Sequence, residues 1–223
     1  MLALAIDDDF RARGIAVSLG CIQCGLEVAT ASAELAAALH GAAAARIAER
    51  GSAPASEVGR IAAARRAYRA LGKDPARYRP AAEALIRRLC QGKGMVRVNN
   101  VVDVNNLFSI RTGISIDAYD GGAIVPPVTF RRAGPGETFE GIGRGPLNLE
   151  GLPVFADARG PFGSPTSDSE RTKTGPGTKT LLMILIAFED ESEMPALLAG
   201  MAELLEAHCR ASDMKTRILA NCV

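Results

Sequence analysis

Leu181-Leu182-Met183-Ile184-Leu185-Ile186-Ala187-Phe188 is a run of eight apolar residues. It is too short to span a bilayer, which needs about 20 residues. It has no polar face, so it reads as a central strand covered on both sides. Upstream, over 112–188, Gly and Pro are frequent and apolar runs are short, the texture of strands joined by loops. Candidate strands there are 114–119, 123–125, 128–132 and 152–155. Asp120-Gly121-Gly122 between the first two carries a hairpin signature. The polar stretches 133–151 and 157–179 read as long loops, a common place for function.

Downstream, Met194, Leu197, Leu198, Met201, Leu204, Leu205 and His208 recur at three and four, marking an amphipathic helix that opens near Ser192. The N-terminal part is helical in another way. Between Ala31 and Ala45 nine of fifteen residues are Ala, so a helix is expected over 32–50, capped by Ser32 and broken by Gly51-Ser52-Ala53-Pro54. A second is expected over 56–71 with Ser56 as cap, and a third from Pro80, with Ala81, Leu85 and Leu89 on one face. Residues 101–110 read as helix, with Val101, Val104, Leu107 and Phe108 inward. Short strands are expected at 2–6, 15–22 and 95–98. The fold class is therefore α/β of the α+β type. One domain over 1–223 is expected, with N-terminal strands and helices (1–74), a core (75–190), and a C-terminal helix and tail (191–223).

Composition excludes several functions. No apolar run reaches membrane length, and Met1 to Asp9 turns acidic where a signal peptide starts basic, so a cytoplasmic protein is expected. Five scattered cysteines do not make a disulfide framework. Cys21 and Cys24 have redox-pair spacing but lie on a strand, where buried structural thiols are the commoner outcome. The two histidines, His40 and His208, fall on helices without zinc-type neighbours, so no metal or cofactor is expected. Gly141-Ile142-Gly143-Arg144-Gly145 lacks the ending of a phosphate loop, and no Gly-x-Ser-x-Gly elbow is present. Without Trp, a base-stacking surface is unexpected. Net charge is +1, but residues 60–97 carry eleven basic and two acidic side chains, +9 in all. That segment is either a footprint for a polyanion or a solvated face balancing an acidic remainder.

What remains is a set of amides, carboxylates and hydroxyls. Asn99, Asp103 and Asn106 are spaced by four and three, so one helical face could carry all three. Capping and loop fixing are the ordinary alternative for such residues. Their order along the chain is more specific. The segment 79–88 (Arg-Pro-Ala-Ala-Glu-Ala-Leu-Ile-Arg-Arg) precedes 98–106 (Val-Asn-Asn-Val-Val-Asp-Val-Asn-Asn) and Ser109. Ala118-Tyr119-Asp120 and 131–137 (Arg-Arg-Ala-Gly-Pro-Gly-Glu) follow. Val154-Phe155-Ala156-Asp157 and Asp168-Ser169-Glu170-Arg171-Thr172 complete the series. Over roughly 75–190 this resembles the tRNA-editing domain of the phenylalanyl-tRNA synthetase β subunit, and more closely the free-standing proteins built on that domain.

The resemblance implies a mixed sheet-based core with flanking helices and an amino-acid-sized pocket. It implies hydrolysis, without metal, of the ester joining a wrong amino acid to the 3′ end of tRNA. By motif, Asn99, Asp103, Asn106 and Ser109 match the helix beside the pocket. Glu137 matches the acid of a Gly-Glu pair, Asp157 the acid ending a core strand, and Asp168, Ser169, Arg171 and Thr172 a run of the free-standing proteins. Asn99, Asn106, Glu137 and Asp168 are the candidate catalytic residues. Glu137 or Asp168 would hold the α-ammonium, and Asn99 or Asn106 would orient water or the ester carbonyl. Asp103, Ser109, Arg131, Asp157, Ser169, Arg171 and Thr172 would bind substrate, Arg171 meeting a phosphate or the oxyanion. For Arg131 and Asp157 a structural ion pair is the alternative. Arg79, Arg87, Arg88 and Lys93 would contact the tRNA acceptor end. The Trp-rich stretch of free-standing relatives is replaced here by Gly163-Ser164-Pro165-Thr166-Ser167, and the synthetase domain's pocket histidine and Gly-Gly loop have no match. A substrate other than mischarged tyrosine is therefore expected. The alternatives are a non-catalytic module that binds an amino acid or peptide, and a hydrolase of small amino-acid esters or amides.

Overall fold

The computed structural model describes residues 1–51 and 53–221, and Ser52, Cys222 and Val223 lie outside the described residues. In chain order the elements are β1 (Leu4–Ile6), α1 (Asp8–Ala12), β2 (Val17–Gly25), α2 (Ala33–Arg50), α3 (Gly59–Ala70), α4 (Ala81–Cys90), α5 (Asn100–Thr112) and β3 (Ser115–Asp120). Then follow β4 (Val128–Arg132), β5 (Thr138–Gly141), β6 (Gly145–Asn148), β7 (Pro153–Asp157), β8 (Gly160–Ser164), β9 (Ser167–Asp168), β10 (Thr180–Ala187), α6 (Met194–Cys209) and β11 (Ser212–Asn221).

The apolar run forms β10, at the centre of an antiparallel sheet ordered β11-β2-β10-β3. Its side chains alternate between two cores, as a strand's must. Leu182, Ile184 and Ile186 pack with Phe130, Phe155 and Phe162 of a second sheet, ordered β1-β4-β7-β8-β9. Leu181, Met183 and Leu185 pack with Leu35, Val104 and Met201 of α2, α5 and α6. Three layers result: helices, the four-stranded sheet, and the five-stranded sheet. The same alternation decides the cysteine pair. Cys21 faces the inter-sheet core and Cys24 the helical core, so the two thiols point to opposite sides of β2 and cannot pair. Burial pushes the Cys21 thiol up to about 12 and that of Cys24 up to about 11.

Several local expectations hold. The Ser32 hydroxyl accepts from Leu35 N at the start of α2, and β4 spans 128–132. In α5, Val101, Val104, Leu107 and Phe108 are buried. Gly113 ends that helix in the left-handed conformation (φ 72°), which glycine adopts without steric cost.

Others are corrected. Ser56 caps nothing: it lies in a short 3-10 turn, Ala55–Glu57, and α3 begins at Gly59. Residues 95–98 form no strand, leaving Val96 and Val98 exposed. Asp120-Gly121-Gly122 makes no hairpin. The Asp120 carboxylate accepts from Gly122 N and folds Gly121–Ala123 into a 3-10 turn, which sends the chain to the other sheet. The long loops contain β5, β6, β8 and β9, and the expected tail contains the ten-residue strand β11. No helix among the described residues is long and apolar enough to cross a membrane.

Candidate functional site

The four faces of α5 decide which of its polar residues reach a ligand. Val102, Asn105, Asn106 and Ser109 stand at i, i+3, i+4 and i+7, so they share one face. That face borders a cavity of about 330 Å³. Ala81 and Leu85 of α4, and Ile116 and Ala118 of β3, supply apolar walls. Val98 and Ile142 stand at its rim, 64% and 46% exposed. Asp117 and Asp168 lie at its floor, one from each sheet. Asn105 donates to Ile116 O (3.0 Å) and Ser109 to Ile114 O (2.7 Å), which fastens α5 to β3. Asn106 lines the same cavity, and no hydrogen bond from a described residue engages its carboxamide.

The floor holds two carboxylates around one phenol. The Tyr119 hydroxyl donates to Asp117 Oδ2 at 2.8 Å, and Asp117 is 2% exposed. Asp168 Oδ1 is enclosed without a hydrogen-bond partner. Burial pushes the Asp168 carboxyl up to about 7. Burial, and then the charge of Asp168, pushes Asp117 well above the carboxylate range. Two carboxylates this placed do not both ionise at neutral pH and behave as a pair sharing a proton. Glycine makes the arrangement possible. A Cβ on Gly163 would sit 1.9 Å from the Tyr119 hydroxyl, so β8 crosses that hydroxyl only without a side chain. Phe162 meets the Tyr119 ring edge-on at 4.9 Å. Among the described residues no cluster of His, Cys, Asp or Glu is placed to hold a metal ion.

Of the residues singled out from sequence, Asn106, Ser109 and Asp168 line this cavity. Others are placed elsewhere, and each has a physical reason. Asn99 precedes the first turn of α5 in an extended conformation and caps it, accepting from Val102 N at 2.9 Å. Asp103 turns off the cavity face and pairs with Arg97 at 2.7 Å. Glu137 is held by Arg131 through two bonds of 2.6 and 2.7 Å and by Gly134 N. The Arg131 guanidinium keeps Glu137 below the usual carboxylate range.

Asp157 and Arg171 form a forked pair, both bonds 2.9 Å. Burial pushes Asp157 up, but Arg171 and the N–H groups of Val125 and Arg159 outweigh it and hold the carboxyl low. Arg171 also donates to Ala123 O and Gly160 O, so it has no donor set free for a phosphate. Ser169 and Thr172 are buried, their hydroxyls 3.2 Å apart, and Thr172 donates to Phe162 O. They fix the 168–172 segment against β8. Spacing and motif order along the sequence assign no role to Asp117 or Tyr119. A carboxylate inside the apolar alternation Ile116-Asp117-Ala118 was the available sign.

The basic segment divides. Arg60 is bound by Glu191 and Glu193, Arg65 by Glu83, and Arg97 by Asp103, all structural pairs. Arg79 also reaches Glu83, at 3.9 Å, and with Arg87, Arg88, Lys93 and Arg144 it surrounds a groove of about 340 Å³. Arg88 donates to the carbonyls of Lys93 and Gly94, folding the loop after α4 into the groove's edge. Leu85 borders both the groove and the cavity.

The overall architecture is similar to a crystal structure of an N-terminal fragment of the phenylalanyl-tRNA synthetase β subunit from Pyrococcus horikoshii. The TM-score is 0.52 at 13% identity, over all of this chain and 55% of that one, so the likeness is one of fold. This chain thus spans about half the length of that fragment. A search of the curated proteins finds no match. The B3/4 domain profile matches residues 63–195, from α3 to the start of α6, and so takes in every element that borders the cavity. On that match, more than half its length, the chain belongs to the B3/4 domain family.

Proposed function

We propose that this chain hydrolyses the ester of a mischarged aminoacyl-tRNA, acting in trans. One observation carries the reading. An amino-acid-sized cavity whose floor carboxylate has one unpartnered oxygen shares the Leu85 wall with a groove of five cations. A single ligand with an ammonium-bearing amino acid at one end and phosphodiesters at the other fits both.

In this reading the amino-acid side chain packs against Ala81, Leu85, Val102 and Ile116. Ionised Asp168 holds the α-ammonium, and Asp117, kept protonated beside Tyr119, adds no second charge. The free carboxamide of Asn106 orients the attacking water or the ester carbonyl. Water adds to the carbonyl carbon, the tetrahedral intermediate collapses, and the terminal ribose hydroxyl leaves with a proton. An aminoacyl ester is already activated, so positioning and oxyanion hydrogen bonds account for useful acceleration. Arg79, Arg87, Arg88 and Lys93 take acceptor-end phosphates. Four such contacts to single-stranded RNA give a log–log salt slope of about −3.

The lining includes no histidine or cysteine, an observation that equally suits a non-catalytic amino-acid-binding module. Deacylation of a panel of correctly and wrongly charged tRNAs separates the two. The hydrolase reading expects release from a mischarged member, at least tenfold slower in Asp168→Asn and Asn106→Ala variants that remain folded. No release at low salt and high protein concentration, with thermal stabilisation by a free amino acid, refutes the hydrolase and establishes the module.

A further inference from the structure

We propose that the tip of the β5–β6 hairpin, residues 142–144, is a second contact for the acceptor end, with Arg144 taking a backbone phosphate beside the cavity mouth. The proposal rests on the reading of this site as one for aminoacyl-tRNA. The tip addresses both concavities at once. Ile142 lines the cavity, as Val98 does, and Arg144 borders the groove with Arg87 and Lys93. A ligand leaving the cavity past Ile142 therefore meets Arg144 next. Arg144 is exposed, and no carboxylate among the described residues pairs with it, unlike Arg60, Arg65 or Arg97.

The tip is also fixed relative to the floor. Ile142 N donates to Asp168 O at 3.1 Å, Glu170 N donates to Glu140 O at 2.8 Å, and Gly141 bridges Ser169. The nearby Glu170 does not leave an opposing charge uncovered, since Lys173 pairs with it and Gly143 N donates to it. The strand that carries the floor carboxylate thus also holds the cation at the mouth. The hairpin backbone that carries Arg144 is thereby held beside the floor strand. Gly143 and Gly145 (φ +65° and +69°) supply the turn that turns Arg144 toward the groove. The sequence 141–145 fails as a nucleotide-phosphate loop, yet its arginine stands where a single phosphate belongs.

The test is Arg144→Glu, with Lys215→Glu on β11, the opposite edge of the four-stranded sheet, as a charge-matched control. Binding of uncharged tRNA is followed by fluorescence anisotropy across a salt series. Arg144→Glu is expected to weaken binding about tenfold at low salt and to reduce the slope by about 0.7, one single-strand contact. Lys215→Glu should stay within twofold of the parent. Hydrolysis is then compared on the mischarged tRNA and on the same amino acid esterified to adenosine, which has no phosphate. Arg144→Glu should raise KM for the first and leave the second within twofold. Unchanged tRNA binding in Arg144→Glu, or equal loss on both esters, overturns the proposal, as does a parent protein that binds no tRNA. If the parent cleaves neither ester but binds tRNA through Arg144, the hydrolase reading fails and the hairpin contact stands.

Discussion

The paired carboxylates make a testable statement about stability. A lone exposed aspartate has a pKa near 3.9, whereas Asp168 is pushed up to about 7. The folded state therefore binds a proton that the unfolded chain releases over that window. Stability must fall as pH rises, because the slope follows protons bound in the unfolded state minus those in the folded state. Asp117, also raised, adds a fall of the same sign, and with these two values Asp168's own share of the loss from about pH 5.5 to about pH 8 is about 2 kcal/mol. In a protein of this size that lowers Tm by about 4–8 °C. The opposing groups do not interfere. Glu137, Asp157 and Glu191 have lowered pKa values, so their stabilisation is complete above the unfolded carboxylate range and is lost only at lower pH. Tyr119 is raised further and stays protonated throughout. Glu189 is raised by burial, then by Glu191, and adds a fall of the same sign. Asp168→Asn removes that share alone: Asp117 is still raised by burial and keeps a fall of the same sign, so the fall should shrink by about 2 kcal/mol and the variant should exceed the parent in stability near pH 8. Urea unfolding at several pH values measures this. A parent curve that is flat or rising from pH 5.5 to 8, or a variant that keeps the parent's slope, refutes the shared-proton floor.

Three further outcomes are expected. Gly163→Ala drives a methyl into the Tyr119 hydroxyl and breaks its bond to Asp117, costing about 3 kcal/mol or more in urea unfolding. Asp157→Ala leaves Arg171 without a carboxylate in a mostly buried place and should cost about 3–5 kcal/mol, read as a Tm loss by calorimetry. Glu137→Ala and Asn99→Ala should each lower stability by about 1 kcal/mol while deacylation kcat stays within twofold, since one breaks a half-exposed ion pair and the other a helix cap.

The parts of the fold that one segment decides alone were legible. The run 181–188 could only be a covered strand, and Ser32 before an alanine-rich stretch could only start a helix. The misread parts depend on distant partners. Asp120-Gly121-Gly122 has hairpin chemistry, yet β3 takes its partner from β10, some sixty residues on, and the turn serves instead to change sheets. Strands β5, β6, β8 and β9 run only two to five residues, and β6 and β8 are rich in glycine and proline, so neither length nor alternation betrays them. The site shows the same division. Spacing grouped Asn99, Asp103 and Asn106, but helix phase sets only Asn106 toward the cavity, because Asn99 lies outside the helix and Asp103 is turned to Arg97. No local rule could bring Asp117 to Asp168, since they sit on different sheets.

The acidic residues of this core sort by what they touch. Asp157 receives two bonds from Arg171 and two from backbone N–H groups, and Glu137 receives two from Arg131 and one from Gly134. Their charges are spent holding strands and loops together, and a ligand would have to displace an arginine to reach them. Asp168 differs. One of its oxygens is enclosed and unbonded, its neighbour Asp117 is another acid, and the phenol between them donates to that neighbour. An enclosed polar oxygen without a partner costs about 1–3 kcal/mol. Its backbone is fixed by Ile142, and Ser169 and Thr172 behind it are bonded to each other and to Phe162. A rigid scaffold that holds an acid with one oxygen unpartnered against a second acid stores interaction free energy for a cationic or proton-donating ligand. That asymmetry, more than the number of carboxylates nearby, is why Asp168 rather than Glu137 is assigned the substrate's ammonium.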